Sequence, residues 1–306
     1  MFDALVLGAG PAGLTAGIYL GRAKKSVLIL DTGTVGGAPI MTHQVSNYPG
    51  IPDVPGYSLA FAMKKQAESF GCKIKGNAVI AGVSLDTPVK RLTLADGTEY
   101  EGKTLIIATG GTPRKLGIPK EEVFKGKGIS YCATCDGDFF TDKEIVVIGG
   151  GNSALEEAVS LSKYASKITI LHEFDHFQAF QAAVDEAKAN PKLHYVMNVR
   201  VLEFIGDSRI TGVAYERKET GERGVVEAAG AFVFIGYVPS SKLFEGMLDI
   251  NDRGEIVADE STQTSLPGVY AAGDIRTKRI RQLTTAVADG TVAALYAIHH
   301  MESQPA

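Results

Sequence analysis

Cysteine is scarce in this chain, and so are long apolar runs and clusters of positive charge. Three cysteines among 306 residues are too few for the disulfide framework of a secreted scaffold, so a reducing compartment is expected. No apolar run approaches the roughly 20 residues of a membrane span. Met1-Phe2-Asp3 runs straight into the strand-like Ala4-Leu5-Val6-Leu7, without the basic, apolar and small-residue regions of a secretory leader. Together these point to the cytoplasm, with no membrane association. A net charge of −4 with no Lys/Arg cluster argues against a nucleic-acid partner held by phosphate neutralisation. The 45% hydrophobic content describes a globular chain with a large core, and the length suits two domains at about 100 to 200 residues each.

What is present is a repeated unit. Ala4-Leu5-Val6-Leu7 leads into Gly8-Ala9-Gly10-Pro11-Ala12-Gly13 and a helical pattern from Leu14 to Ala23. Glu144-Ile145-Val146-Val147-Ile148 leads into Gly149-Gly150-Gly151-Asn152-Ser153-Ala154 and a second helical pattern from Leu155 to Tyr164. Each is followed by another strand, Ser26 to Leu30 and Lys167 to Leu171, with an acid just beyond, Asp31 and Glu173. Such glycines allow a tight turn, bring the backbone close to a pyrophosphate and open a helix whose free N–H groups and dipole attract anions; the acid accepts hydrogen bonds from ribose hydroxyls. One such turn can exist for packing alone. Two in matching context, each with its acid, predict an α/β protein with two Rossmann-like, three-layer nucleotide-binding folds, one for FAD and one for a nicotinamide nucleotide.

Leu105 to Gly111 and Ala231 to Tyr237 are both buried-strand patterns ending in turns, and Gly268-Val269-Tyr270-Ala271-Ala272-Gly273-Asp274 precedes a long apolar-periodic helix from about Gln282 to His299. The second fold is therefore expected inside the first: residues 1–112 with 239–306 as a discontinuous FAD domain, and 113–238 as the pyridine-nucleotide domain.

Between the two glycine turns lies Cys132-Ala133-Thr134-Cys135-Asp136-Gly137. Two intervening residues suit a reversible disulfide, and such pairs commonly contain a thiol that ionises near neutral pH. Half of a zinc site or an inert buried pair would read the same locally. Zinc needs two more soft or imidazole ligands, and only Cys72 remains, with no His pair at finger spacing. No metal is expected, and Cys72 reads as a small buried hydrophobe.

These motifs, with Asn47-Tyr48-Pro49-Gly50, Ala108-Thr109-Gly110 and Pro113 to Pro119, and Ala272-Gly273-Asp274 with Arg281-Gln282, resemble the low-molecular-weight thioredoxin reductases over nearly the whole chain. The resemblance implies FAD, a pyridine nucleotide, a homodimer, thioredoxin or a thioredoxin-like protein as partner, and a dithiol on the inserted domain. It carries Gly8, Gly10, Ala12 and Gly13 to the FAD pyrophosphate and Asp31 to the adenosine ribose. Gly36, Gly37, Ala38, Asn47, Thr109, Gly110, Gly273, Asp274, Ile275, Arg281 and Gln282 would line the flavin and its ribityl chain. Gly149, Gly151, Asn152, Ser153, Ala154 and Glu173 would hold the nicotinamide nucleotide. It implies that Cys135 faces the flavin and Cys132 attacks the partner disulfide. Asp136 is then the candidate general acid/base, although Asp before Gly is also a common turn pair.

The chain departs from the family at two places. Ala38-Pro39 stands where Gln-Leu is frequent, which touches one flavin contact. NADPH-linked members carry His-Arg-Arg and a further Arg after the second nucleotide strand; here His172-Glu173-Phe174-Asp175-His176-Phe177-Gln178 has lost all three arginines. A 2′-phosphate carries about −1.5 to −2 charges. A carboxylate about 4 Å away repels it by several kcal/mol at an effective dielectric of about 20, and half of that is more than a tenfold penalty. Glu173 suits the free 2′-hydroxyl of NADH, so NADH is expected and NADPH disfavoured. A solvated strand-end charge is the ordinary alternative for Glu173. Three other readings stay open: the same fold and dithiol reduced by ferredoxin or another non-pyridine donor, a flavin-dependent dithiol oxidase, and a flavin-bound redox sensor without turnover.

Overall fold

A computed structural model describes residues 1–41, 45 and 47–303, with the side chains of Met41, Thr134, Cys135 and Tyr237 outside that description. The chain divides into two compact units, Met1–Thr112 with Val238–Ala306, and Pro113–Tyr237. The second is thus an insertion, entered and left once.

In the first unit the strand Phe2–Leu7 alternates its side chains between two cores. Ala4 and Val6 join the helices on one face, and Leu5 and Leu7 join a second cluster on the other. A strand apolar on both sides needs a sheet covered on both faces. Lys73–Lys75, Val27–Leu30, Phe2–Leu7 and Glu99–Ile107 run parallel in that order. Glu99–Ile107 then serves two neighbours. Its first half pairs antiparallel with Lys90–Leu94, which pairs with Ile80–Ser84, and its second half pairs in parallel with Val269–Ala271.

The first helix spans Pro11–Arg22, beginning ahead of the apolar pattern that starts at Leu14. Pro11 explains the difference, because its fixed φ suits the first helical position and its missing N–H costs nothing there. The C-terminal helix, Leu283–Ser303, lies against the first helix so closely that a Cβ on Gly290 would be 2.1 Å from the Ala12 carbonyl oxygen. Where the inserted segment leaves and returns, the first unit closes on itself: Ser240 N–H donates to the Gly110 carbonyl at 2.9 Å and Thr109 Oγ1 to the Ser240 carbonyl at 3.1 Å.

The second unit repeats the plan. Leu193–Val196, Lys167–Leu171, Glu144–Ile148, Gly230–Val233 and Ile129–Ser130 form a parallel sheet. Ile145 and Val147 enter the core under the helices, whereas Val146 and Ile148 enter the core lined by an antiparallel sheet of Val199–Gly206, Ile210–Arg217 and Arg223–Glu227. The helix after its glycine turn spans Asn152–Leu161, so it starts before Leu155 and ends before Tyr164. The architecture is α/β, with two Rossmann-like folds and the second inserted into the first.

Candidate functional site

The first glycine turn is a backbone cradle. Gly8 has φ of 109°, and a Cβ there would lie 2.1 Å from the Ala108 carbonyl oxygen, just ahead of Thr109. A Cβ on Gly13 would lie 1.9 Å from the Gly8 carbonyl oxygen, so the helix can start directly behind the strand only without a side chain. Gly10 precedes the helix in extended conformation with no side chain capping it, which leaves the helix terminus to a ligand. The turn is closed by Asp31, whose Oδ2 accepts the Ala9 N–H at 2.6 Å and Oδ1 the Gly33 N–H at 2.8 Å. A carboxylate has about four acceptor positions, so capacity remains for ribose hydroxyls.

Gly36 and Gly37 close in on the same turn. Gly36 N–H donates to the Ala9 carbonyl at 2.9 Å, and a Cβ on Gly37 would come within 2.7 Å of Gly10 Cα. From the far end of the chain, a Cβ on Gly273 would approach Ala12 Cβ at 2.9 Å. Asn47 and Gln282, distant in sequence, meet side chain to side chain at 3.2 Å. Ala38 is exposed at the start of the short turn Ala38–Met41, Gly110 takes φ of 58° in open space, and Ile275 is wholly buried. Arg281 is engaged by the buried Glu255 carboxylate.

Asp274 sits at the edge of a charged cluster that the sequence does not reveal. Asp289, on the C-terminal helix, accepts the Gly273 N–H at 3.0 Å and pairs with both Arg276 and Lys278 at 3.1 Å. Lys278 also lies 3.2 Å from Asp274 Oδ1, a buried atom with this ion pair but no well-aligned hydrogen bond. Burial pushes the Asp274 carboxyl up, and Lys278 holds back part of that rise. An acceptor so placed fits the hydroxyls of a flavin's ribityl chain, and the glycine turn beside it fits the pyrophosphate.

In the second unit Gly149 has φ of 133°, with the Phe234 carbonyl oxygen 2.2 Å from where a Cβ would stand, and the His172 ring fills the space beside Gly150. Gly151 leads the helix in extended form without a side-chain cap. Asn152 Oδ1 accepts the Phe180 N–H at 2.7 Å, Ser153 is exposed and Ala154 fully buried. This cradle too fits a nucleotide pyrophosphate. Glu173 is exposed and bonded to Lys218 at 2.9 Å.

The turn that begins at Cys132 packs against this helix. Cys132 is disulfide-bonded and buried, with its N–H donating to Ser130 Oγ at 3.0 Å. The short helix Ala133–Asp136 packs on Asn152–Leu161 through Ala133, which shares a core with Ala154, Ala158 and Leu161. A Cβ on Gly137 would press on Leu161 and the Tyr164 ring at 3.1 and 3.2 Å, so the turn after the pair is seated on the end of the same helix. Asp136 is half-buried, and its side chain does not cap the following turn. The Cys135 side chain lies outside the described residues. Cys72 is buried in the first unit, its Sγ donating to the Gly17 carbonyl at 3.1 Å, and burial pushes the thiol up to about 11, which leaves it inert near neutral pH.

On the helix that carries the dithiol turn, Glu157 has a buried, unpartnered Oε2. Burial first, and then Glu156 beside it, push its carboxyl up to about 7 from 4.5. The folded state therefore holds a proton that the unfolded state has released between these pH values, and stability falls as pH rises from about 4.5 to about 7. Replacing Glu157 with Gln is expected to remove a loss on the order of 2 kcal/mol between pH 5 and 8, read from denaturant unfolding at the two pH values. Parallel pH slopes for variant and parent would show that the carboxyl ionises normally.

A family model described as pyridine nucleotide-disulphide oxidoreductase matches residues 2–290. A thioredoxin reductase of Peptoclostridium acidaminophilum is 42% identical over 310 residues, spanning 99% of this chain and 98% of its own. Among solved structures, the thioredoxin reductase of Lactococcus lactis gives a TM-score of 0.96 at 35% identity, with 99% of this chain and 100% of that one covered. The thioredoxin reductase of T. acidophilum gives 0.94 at 36% identity, with 99% of each covered.

Proposed function

This chain belongs to the pyridine nucleotide-disulphide oxidoreductases and, within them, to the low-molecular-weight thioredoxin reductases, and from that premise we propose that it passes electrons from NADH through FAD to the Cys132/Cys135 pair and on to the disulfide of thioredoxin or a thioredoxin-like protein. The observation that carries the reading is the disulfide-bonded Cys132 on a turn seated against the helix of the second glycine cradle.

Gly8, Gly10, Ala12 and Gly13 with Asp31, and the groups around Gly36, Gly37, Asn47, Thr109, Asp274 and Gln282, would hold FAD. Gly149, Gly151, Asn152, Ser153, Ala154 and Glu173 would hold the nicotinamide nucleotide. Bound FAD would supply the two-electron reduction of the disulfide. Cys132, as thiolate, attacks the partner disulfide to give a mixed disulfide, and Cys135 displaces the partner from it, restoring the intramolecular bond. Asp136, next in sequence to Cys135 and half-exposed, takes and returns the thiol protons. The lost arginines and the presence of Glu173 support NADH over NADPH.

Anaerobic titration of the oxidised flavin tests this directly. NADH is expected to bleach the flavin band at stoichiometric amounts, with NADPH needing an excess for the same bleaching. Absence of bleaching by millimolar NADH, with bleaching by reduced ferredoxin, would move the donor to a protein. Rapid peroxide formation from added dithiol without thioredoxin reduction would turn the cycle into an oxidase. The homodimer belongs to the same proposal, and sedimentation at micromolar protein checks it.

A further inference from the structure

The edge of the second nucleotide fold carries a cation absent from the sequence motif. Glu173 Oε1 lies 2.9 Å from Nζ of Lys218, which stands just past the strand Ile210–Arg217. The backbone holds the two segments together. Lys218 N–H donates to the Asn198 carbonyl, Asn198 N–H donates to the Phe174 carbonyl, and Val199 N–H donates to the His172 carbonyl, each at 3.0 Å. Asn198 makes the turn between them with φ of 56°. The ammonium also lies 5.3 Å from the centre of the Phe174 ring. Neighbouring charges are engaged: Asp175 with His176 at 2.6 Å, and Glu219 with the Asn198 amide at 2.8 Å.

Both members of the Glu173–Lys218 pair are exposed. Such pairs contribute little to stability, so a stronger anion can take the lysine without cost to the fold. An ammonium is a compact point charge well suited to a phosphate. We infer that Lys218 is a latent ligand for an adenosine 2′-phosphate, held by Glu173 in the native chain, so that nucleotide selectivity is set by the pair and not by the carboxylate alone. This rests on the proposal that the unit binds a pyridine nucleotide. It has two consequences. An incoming 2′-phosphate meets a neutral pair, so discrimination against it is weaker than a bare Glu173 would impose. Removing the carboxylate converts the same edge to phosphate recognition without installing an arginine.

The test is calorimetric titration of the flavoprotein with 5′-AMP and with adenosine 2′,5′-bisphosphate, in the native form, Glu173→Gln, Lys218→Met and the double variant. Glu173→Gln is expected to bind the bisphosphate about tenfold tighter or more relative to 5′-AMP, whose own binding weakens with loss of the carboxylate that would accept its 2′-hydroxyl. The double variant should lose that gain, and raising the salt from about 50 to 300 mM should shrink it in the single variant. A gain that survives loss of Lys218, or no gain in Glu173→Gln while 5′-AMP still binds, overturns the inference and leaves the nucleotide reading standing. Failure of every form to bind either nucleotide removes both. As a second readout, Lys218→Met should raise the KM for NADH with kcat unchanged, because Lys218 positions Glu173 and takes no part in electron transfer. A fall in kcat with unchanged KM would contradict that role.

Discussion

Replacing Cys132 with serine lowers thioredoxin reduction by about a thousandfold or more, while anaerobic flavin reduction by NADH keeps its rate within a factor of about three. The two halves of the cycle separate because they use different groups. The proposed nucleotide contacts, at Gly149 to Ala154 and at Glu173, are untouched by a change at Cys132. The half that reaches the partner needs a sulfur nucleophile, and a serine hydroxyl stays protonated at neutral pH and forms no disulfide. Cys132 is buried, with its N–H and carbonyl both bonded to Ser130 Oγ, so the smaller oxygen is accommodated and loss of rate is not loss of fold. Stopped-flow flavin absorbance and a steady-state thioredoxin assay on the same preparation read the two halves. Residual turnover above about a tenth of the parent would mean that electrons reach the partner by a route that avoids Cys132.

The second large effect comes from a glycine outside every nucleotide motif. A Cβ on Gly290 would meet the Ala12 carbonyl oxygen at 2.1 Å, its carbon at 2.9 Å and its Cα at 3.1 Å. All three are backbone atoms at the start of the first helix, so no rotamer change relieves the contact. Gly290→Ala must push the C-terminal helix away from the first glycine cradle, at about 3 kcal/mol or more. The displaced residues Ala12 and Gly13 are those expected to face the FAD pyrophosphate, so the variant should purify with less flavin as well as unfold earlier. Gly246→Ala is the matched control: its φ of 76° carries backbone strain, but no atom lies within 4 Å of the added Cβ, so it should cost about 1 kcal/mol and keep its flavin. Thermal unfolding and flavin-to-protein absorbance ratios check both. Equal behaviour of the two variants would show that helix contact does not support the cofactor site.

The glycine cradles were legible in the sequence because their chemistry is local: a strand, a turn that excludes Cβ atoms and a helix occupy one short segment. The acids Asp31 and Glu173 followed from the same unit at fixed spacing. Helix boundaries were less legible, since the helices begin at Pro11 and Asn152, ahead of the apolar periodicity, the first because of proline's fixed φ. What tertiary structure brings together stayed hidden. Nothing in the spacing of Asp289, Arg276 and Lys278 announces a cluster under Asp274, and Lys218 reaches Glu173 only because Asn198 ties two strands' ends together. The three-stranded antiparallel sheet that carries Lys218 was not anticipated either. Glu157 reads as an ordinary helix acid until its neighbours bury it.

The strand Glu99–Ile107 has one further consequence, for the order in which the protein assembles. Its second half waits for Val269–Ala271, and the first helix waits for Gly290 and the rest of Leu283–Ser303. Both partners are made after the whole of Pro113–Tyr237 has been synthesised. The inserted unit draws all five strands of its parallel sheet from within its own span, so it can complete its sheet first, as domains commonly fold individually during synthesis. The amino-terminal half of the outer unit must spend that interval with one sheet position empty, and closing it spans a loop that contains the whole inserted unit.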